Sequence, residues 1–85
     1  MDKIRLEAVT RSGLHDIFEN YFPAPYGRNL DALHDVLSCW SKELIIELDE
    51  SSLFGTLEDR YFDKLLGMLR DVEEENPKIT VVVCE

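Results

Sequence analysis

Asp31 and Asp35 are the residues of this 85-residue chain whose type and spacing best suit them to act on another molecule. They sit in the run Tyr26-Gly27-Arg28-Asn29-Leu30-Asp31-Ala32-Leu33-His34-Asp35-Val36-Leu37, which reads as a glycine turn, an asparagine cap and a helix. Asn29 can accept a hydrogen bond from a free amide of the first turn, which starts the helix at Leu30. Leu30, Leu33, Val36, Leu37 and Trp40 then share one side, Asp31, Asp35 and Ser38 the other, and His34 stands at the border. Acids at i and i+4 repel each other by about 0.2–0.5 kcal/mol. Asp31 recovers part of this from the positive end of the helix dipole, and Asp35, a turn further in, recovers less. Such a face costs the free protein something and suits a positively charged partner. Paired carboxylates also serve acid–base catalysis, but that needs a pocket to drive their pKa values apart, and a convex helix face provides none. The sequence has no nucleophile motif, phosphate-cradling glycine loop or metal-ligand spacing. It therefore reads as a binding protein rather than an enzyme, with no cofactor and no metal.

The elements that must position this face follow from hydrophobic periodicity. Lys3 to Val9 alternates through Ile4, Leu6 and Ala8 as a first strand. Thr10 to Gly13 is a turn, with Ser12 able to cap a helix carrying Leu14, Ile17 and Phe18. Two prolines break the chain between Tyr21 and Pro25. The capped helix runs from Leu30 to about Ser41, and Leu44–Leu48 is a buried strand. Asp49 to Ser52 is a polar break, with at most a short helix between Leu53 and Arg60. A stronger helix spans Tyr61–Glu74, with Phe62, Leu65, Leu66 and Leu69 on one face. Asn76-Pro77 ends it, and Ile79–Cys84 is the last strand. Strands joined by helical crossovers pair in parallel. The expectation is one α/β domain over residues 1–85, with a three-stranded parallel sheet in two layers.

Eighteen acidic against nine basic residues give a net charge of −9. That field repels nucleic acid and anionic membranes and attracts basic proteins, although an acidic surface also simply keeps a protein soluble. No apolar run approaches the ~20 residues of a membrane span, and the charged start does not read as a signal peptide. Cys39 and Cys84 fit no metal spacing and are expected to be free thiols in the cytoplasm.

The run Tyr26-Gly27, Asn29-Leu30-Asp31-Ala32-Leu33, Asp35, Leu37 and Trp40 resembles the barstar family of intracellular ribonuclease inhibitors. The likeness extends more weakly to Leu44–Glu47 and to Arg70-Asp71 with Ile79-Thr80-Val81-Val82-Val83, and so spans nearly the whole chain. It implies a barstar-like two-layer domain that inhibits a small, basic, secreted bacterial ribonuclease in a one-to-one complex. Such a protein would be monomeric when free and would protect the producing cell. Carried over by residue, Asp35 takes the place of a substrate phosphate and Asp31 pairs with a base at the edge of the site. Asp71 stands for an acidic contact that is Glu in the family. Tyr26, Gly27, Asn29 and Leu30 form the loop contacts, and Ser38 sits at the rim where the family has Thr.

Four positions depart from the best-known member: Pro25 replaces tyrosine, Arg28 an acid, His34 tryptophan and Cys39 glycine. Arg28, a positive group facing a basic partner, is an objection to simple transfer unless the partner carries an acid there. The residues themselves leave other readings open. Asp31 could be only a first-turn charge, Tyr26 a loop anchor and Trp40 a core residue, while Asp71 could begin a solvated acidic helix end with Glu73, Glu74 and Glu75. The same fold could also serve as an immunity module against a different basic toxin or protein.

Overall fold

A computed structural model describes residues 2–23 and 26–84. The elements run β1 (Asp2–Leu6), α1 (Arg11–Tyr21), α2 (Leu30–Ser38), β2 (Leu44–Asp49), α3 (Glu50–Leu53), α4 (Asp59–Glu75) and β3 (Ile79–Cys84). The strands form one parallel sheet in the order β1-β2-β3. Its register aligns Ile4 with Ile46 and Val81, and Leu6 with Leu48 and Val83.

That register sorts the side chains onto two unlike faces, because successive residues of a strand point in opposite directions. Ile4, Leu6, Leu44, Ile46, Leu48, Ile79 and Val81 are buried and join Leu14, Phe18, Leu33, Leu37, Leu65, Leu69 and Val72 of the helices in one core. The opposite face carries Lys3, Arg5, Glu47 and Asp49 in a charged network, with Lys3 Nζ 3.0 Å from Glu47 and Arg5 bridging Glu47, Glu7 and Asp49. Parallel sheets are usually covered on both faces. Here ion pairs occupy the face that the short chain leaves uncovered, so the domain has two layers.

Element order and pairing match the expectation, whereas several boundaries differ for local reasons. β1 stops at Leu6, and Ala8 takes φ 48°, outside the range of a strand. Thr10 rather than Ser12 caps α1, accepting from the Gly13 amide at 3.2 Å. The stretch expected to be a polar break holds α3, because Asp49 accepts from the Ser52 amide at 3.3 Å and starts a helix at Glu50. α4 begins at Asp59, two residues before the expected start at Tyr61. α2 ends at Ser38 instead of about Ser41, so Trp40 lies beyond the helix. It is half-buried against Tyr21 and Phe22, both at 5.5 Å between ring centroids. The proline break after Phe22 is only partly visible, since Pro25 falls outside the described residues.

Candidate protein-binding face

The Asn29 cap sets the orientation of α2. Its Oδ1 accepts from the Ala32 amide at 2.8 Å, and its Nδ2 donates to the Gly27 carbonyl at 3.1 Å. Both ends of the side chain are thus engaged within the loop and first turn, and the Asn29 carbonyl accepts from the Leu33 amide at 3.0 Å. Gly27 lies close enough that a Cβ there would stand 3.2 Å from Ala32 Cβ, a tight contact that glycine avoids. The left-handed conformation falls not on that glycine but on Arg28, at φ 57°. From the cap onward Leu33 and Leu37 point into the core, while Asp31 and Asp35 are both exposed on the outer face.

Across from α2, Asp71 of α4 faces Asp31. The two acids share a cleft of about 420 Å³ with Leu30, His34, Lys64 and Met68. Its floor is partly apolar and carboxylates stand on both walls, which suits the aliphatic stem and cationic head of an arginine or lysine. Among the described residues, Asp31, Asp35 and Asp71 have no ion-pair partner. Lys64 also lines this cleft.

The acidic run at the end of α4 divides into separate tasks. Glu73 accepts from the Val81 amide at 2.7 Å and from Arg70 at 3.1 Å, which fastens the helix to the edge of β3. Glu75 reaches α2, accepting from Ser38 Oγ at 3.2 Å and lying 3.4 Å from His34 Nε2. Ser38 and His34, both half-buried, are therefore held by Glu75, a residue that the sequence had grouped with a solvated helix end. Only side-chain partners from a distant element could have revealed this.

Two residues of the loop behave differently from surface contacts. Tyr26 is buried, with its ring edge-on to Phe22 at 5.3 Å and its hydroxyl hydrogen-bonded to His15 Nδ1. Burial raises its pKa well above the ordinary tyrosine value. Its side chain anchors the loop instead of standing on the outer face. Arg28 is matched within the chain, at 2.8 Å from Asp16 and 3.2 Å from Glu19 of α1. The charge of Arg28 is thus offset by two acids of α1. Cys39 is exposed and Cys84 half-buried, and both are free thiols. No metal-ligand cluster is found among the described residues, and no helix there is long and apolar enough to cross a membrane.

The family model described as "Barstar (barnase inhibitor)" matches residues 4–84. The chain belongs to the barstar family. It is also 37% identical over 65 residues to a Bacillus subtilis (strain 168) protein named "Putative ribonuclease inhibitor YrdF", covering 73% of this chain and 71% of that protein. The three-stranded parallel sheet and four helices agree with the barstar-like fold that the sequence resemblance implied.

Proposed function

We propose that this barstar-family protein inhibits a small, basic, secreted ribonuclease, one to one, by laying α2 and the preceding loop over the enzyme's active site. The observation that carries this reading is the pair Asp31 and Asp35, exposed on one face of a rigid, capped helix and without intramolecular ion partners among the described residues. A ribonuclease cleft must bind a polyanion and is lined with cations. Two fixed carboxylates then take the place of RNA phosphates and exclude substrate by occupancy. In this reading Asp35 stands at the centre, while Asp31 and Asp71 grip a basic side chain between α2 and α4. The backbone of Tyr26, Gly27 and Asn29, with Leu30, completes the contact. His34 and Ser38 form the rim.

A free monomer in the cytoplasm of the producing cell fits this role, because the enzyme must be neutralised before export. The net charge of −9 would speed encounter with a basic enzyme, an effect that salt screens. Titration against a panel of small basic bacterial ribonucleases, with RNA cleavage as readout, tests the reading. Stoichiometric inhibition that weakens with added salt supports it. Tight binding to a basic protein without any effect on RNA cleavage would instead indicate an immunity module for another target.

A further inference from the structure

His15 lies outside the acidic face, yet it joins three parts of the molecule that the face depends on. It is only 3% exposed. Its Nδ1 meets the hydroxyl of Tyr26 at the start of the loop, and its Nε2 lies 2.7 Å from the hydroxyl of Tyr61 on α4. The histidine itself belongs to α1. One imidazole therefore ties α1 to the loop on one side and to α4 on the other. A neutral ring has one N–H and one lone pair, so one tyrosine donates to it and the other accepts from it, whichever nitrogen holds the proton.

We propose that His15 is the positioning residue of the binding loop, and that the loop keeps its binding shape only while the ring is neutral. The consequence for inhibition rests on the function proposed above, whereas the bridge itself does not. Protonation turns both nitrogens into donors, so the tyrosine that had donated must turn its O–H elsewhere. It also places a cation in a buried site that already faces two arginines. Arg11 of α1 lies over the Tyr61 ring, 4.5 Å from its centroid, and Arg28 comes from the loop. Asp16 of α1 opposes them, and Glu19 of α1 acts on Tyr26. Burial first, then Arg28 and Arg11, hold the His15 pKa below its ordinary value of 6.5.

The sign follows from which state takes up the proton first. An opened loop exposes the ring, which then titrates near 6.5, while the closed loop resists protonation to lower pH. The bridge therefore contributes fully above about pH 6.5 and is progressively lost as the pH falls toward the lower, folded pKa. Arg28 supports the closed loop through its ion pairs with Asp16 and Glu19.

Tyr26→Phe tests the proposal, since it deletes one hydroxyl and keeps the ring packed against Phe22. Hydrogen-exchange protection of the amides at 27–30 is read in the free full chain at about pH 7.5 and about pH 5.5, on either side of the ordinary histidine pKa. Inhibition of whichever basic ribonuclease the wild type blocks is read at the same two values. At the higher pH the variant is expected to lose protection and inhibitory strength by about three- to tenfold, the net worth of one buried hydrogen bond. At the lower pH the gap between wild type and variant should narrow. Taking their ratio cancels the titration of the ribonuclease itself. Equal loop protection in both proteins, or a ratio that stays flat with pH, would overturn the proposal. A merely structural loss gives that flat ratio. If Tyr26→Phe does not fold, Tyr61→Phe cuts the other arm of the bridge and must give the same pH-dependent loss of loop protection. If the wild type blocks no ribonuclease, the inhibitor reading fails while the exchange measurement still decides for or against the bridge.

Discussion

Replacing Asn76 by alanine should destabilise the protein more than its place at the end of a helix suggests. The side chain is buried, and its Nδ2 donates to the carbonyls of Leu37 and Trp40, both at 2.9 Å. Its Oδ1 accepts from the Lys78 amide at 3.1 Å. These bonds tie the C-terminal end of α2 to that of α4 and to the turn entering β3, and so they set the spacing between the two acidic walls of the cleft. Alanine removes all three. At a net worth of roughly 0.5–1.5 kcal/mol each, the loss is about 1.5–4.5 kcal/mol, toward the upper half because a buried carbonyl is left without its donor. Urea unfolding followed by linear extrapolation measures this, with an unchanged m value showing that the transition remains two-state. The same loss should lower Tm by about 4–8 °C per kcal/mol for a domain of this size. Asn76→Asp should be no better, because a carboxylate cannot donate to the Leu37 and Trp40 carbonyls. A change below about 0.5 kcal/mol would refute the reasoning, since it would mean that water replaces the tie at little cost.

Other consequences concern the loop, the open sheet face and the acidic helix. At Arg28, whose φ is 57°, thermal unfolding should rank glycine as more stable than alanine and alanine as more stable than valine, and the reverse order would exclude the left-handed conformation. The Glu47 pKa is held below 4.5, first by the hydrogen bond from Lys3 and then by Arg5, and that of Asp49 below 3.8, first by the Ser52 amide. Both carboxylates therefore stabilise the fold above their unfolded pKa values, and this contribution fades as the pH falls through the folded ones. Glu47→Gln should flatten the stability curve below about pH 4.5, and an unchanged slope in acid urea titrations would show that the network contributes nothing. Asp35→Asn should stabilise the free protein by about 0.2–0.5 kcal/mol by relieving its repulsion with Asp31, whereas a destabilised variant would mean that Asp35 has a partner within the chain.

Much of the fold was legible because its signals are local and mutually consistent. The Leu44–Leu48 run, the Val-rich last strand and the stripe of Phe62, Leu65 and Leu69 each declare their element, and the crossovers between strands fix parallel pairing. The Asn29 cap and the outward direction of Asp31 and Asp35 were equally readable, since both depend on a few adjacent residues and the helical period. Boundaries failed where competing side chains decide which residue caps a helix. Asp49 outcompeted a loop to start α3, and Thr10 displaced Ser12 as the cap of α1. The partners that hold the site together were hidden because they lie far apart in the chain. Nothing in sequence spacing links His15 to Tyr61, Arg28 to Asp16 and Glu19, or Glu75 to Ser38. Tyr26 and Arg28 belong to the loop yet face inward or toward α1, so their types alone suggested contacts that the fold uses for support.

The central claim is that Asp35 substitutes for an RNA phosphate in a basic cleft. The most direct test compares wild type with Asp35→Ala against a basic bacterial ribonuclease that the wild type inhibits, at low and at physiological salt. Removing one member of a desolvated charge pair costs about 2–5 kcal/mol, a range that rests partly on complexes of this family rather than on this chain. The account predicts a loss of inhibition of roughly 30-fold or more, with the remaining inhibition less sensitive to salt than that of the wild type. An Asp35→Ala protein that inhibits as strongly as wild type, with the same salt dependence, would contradict it.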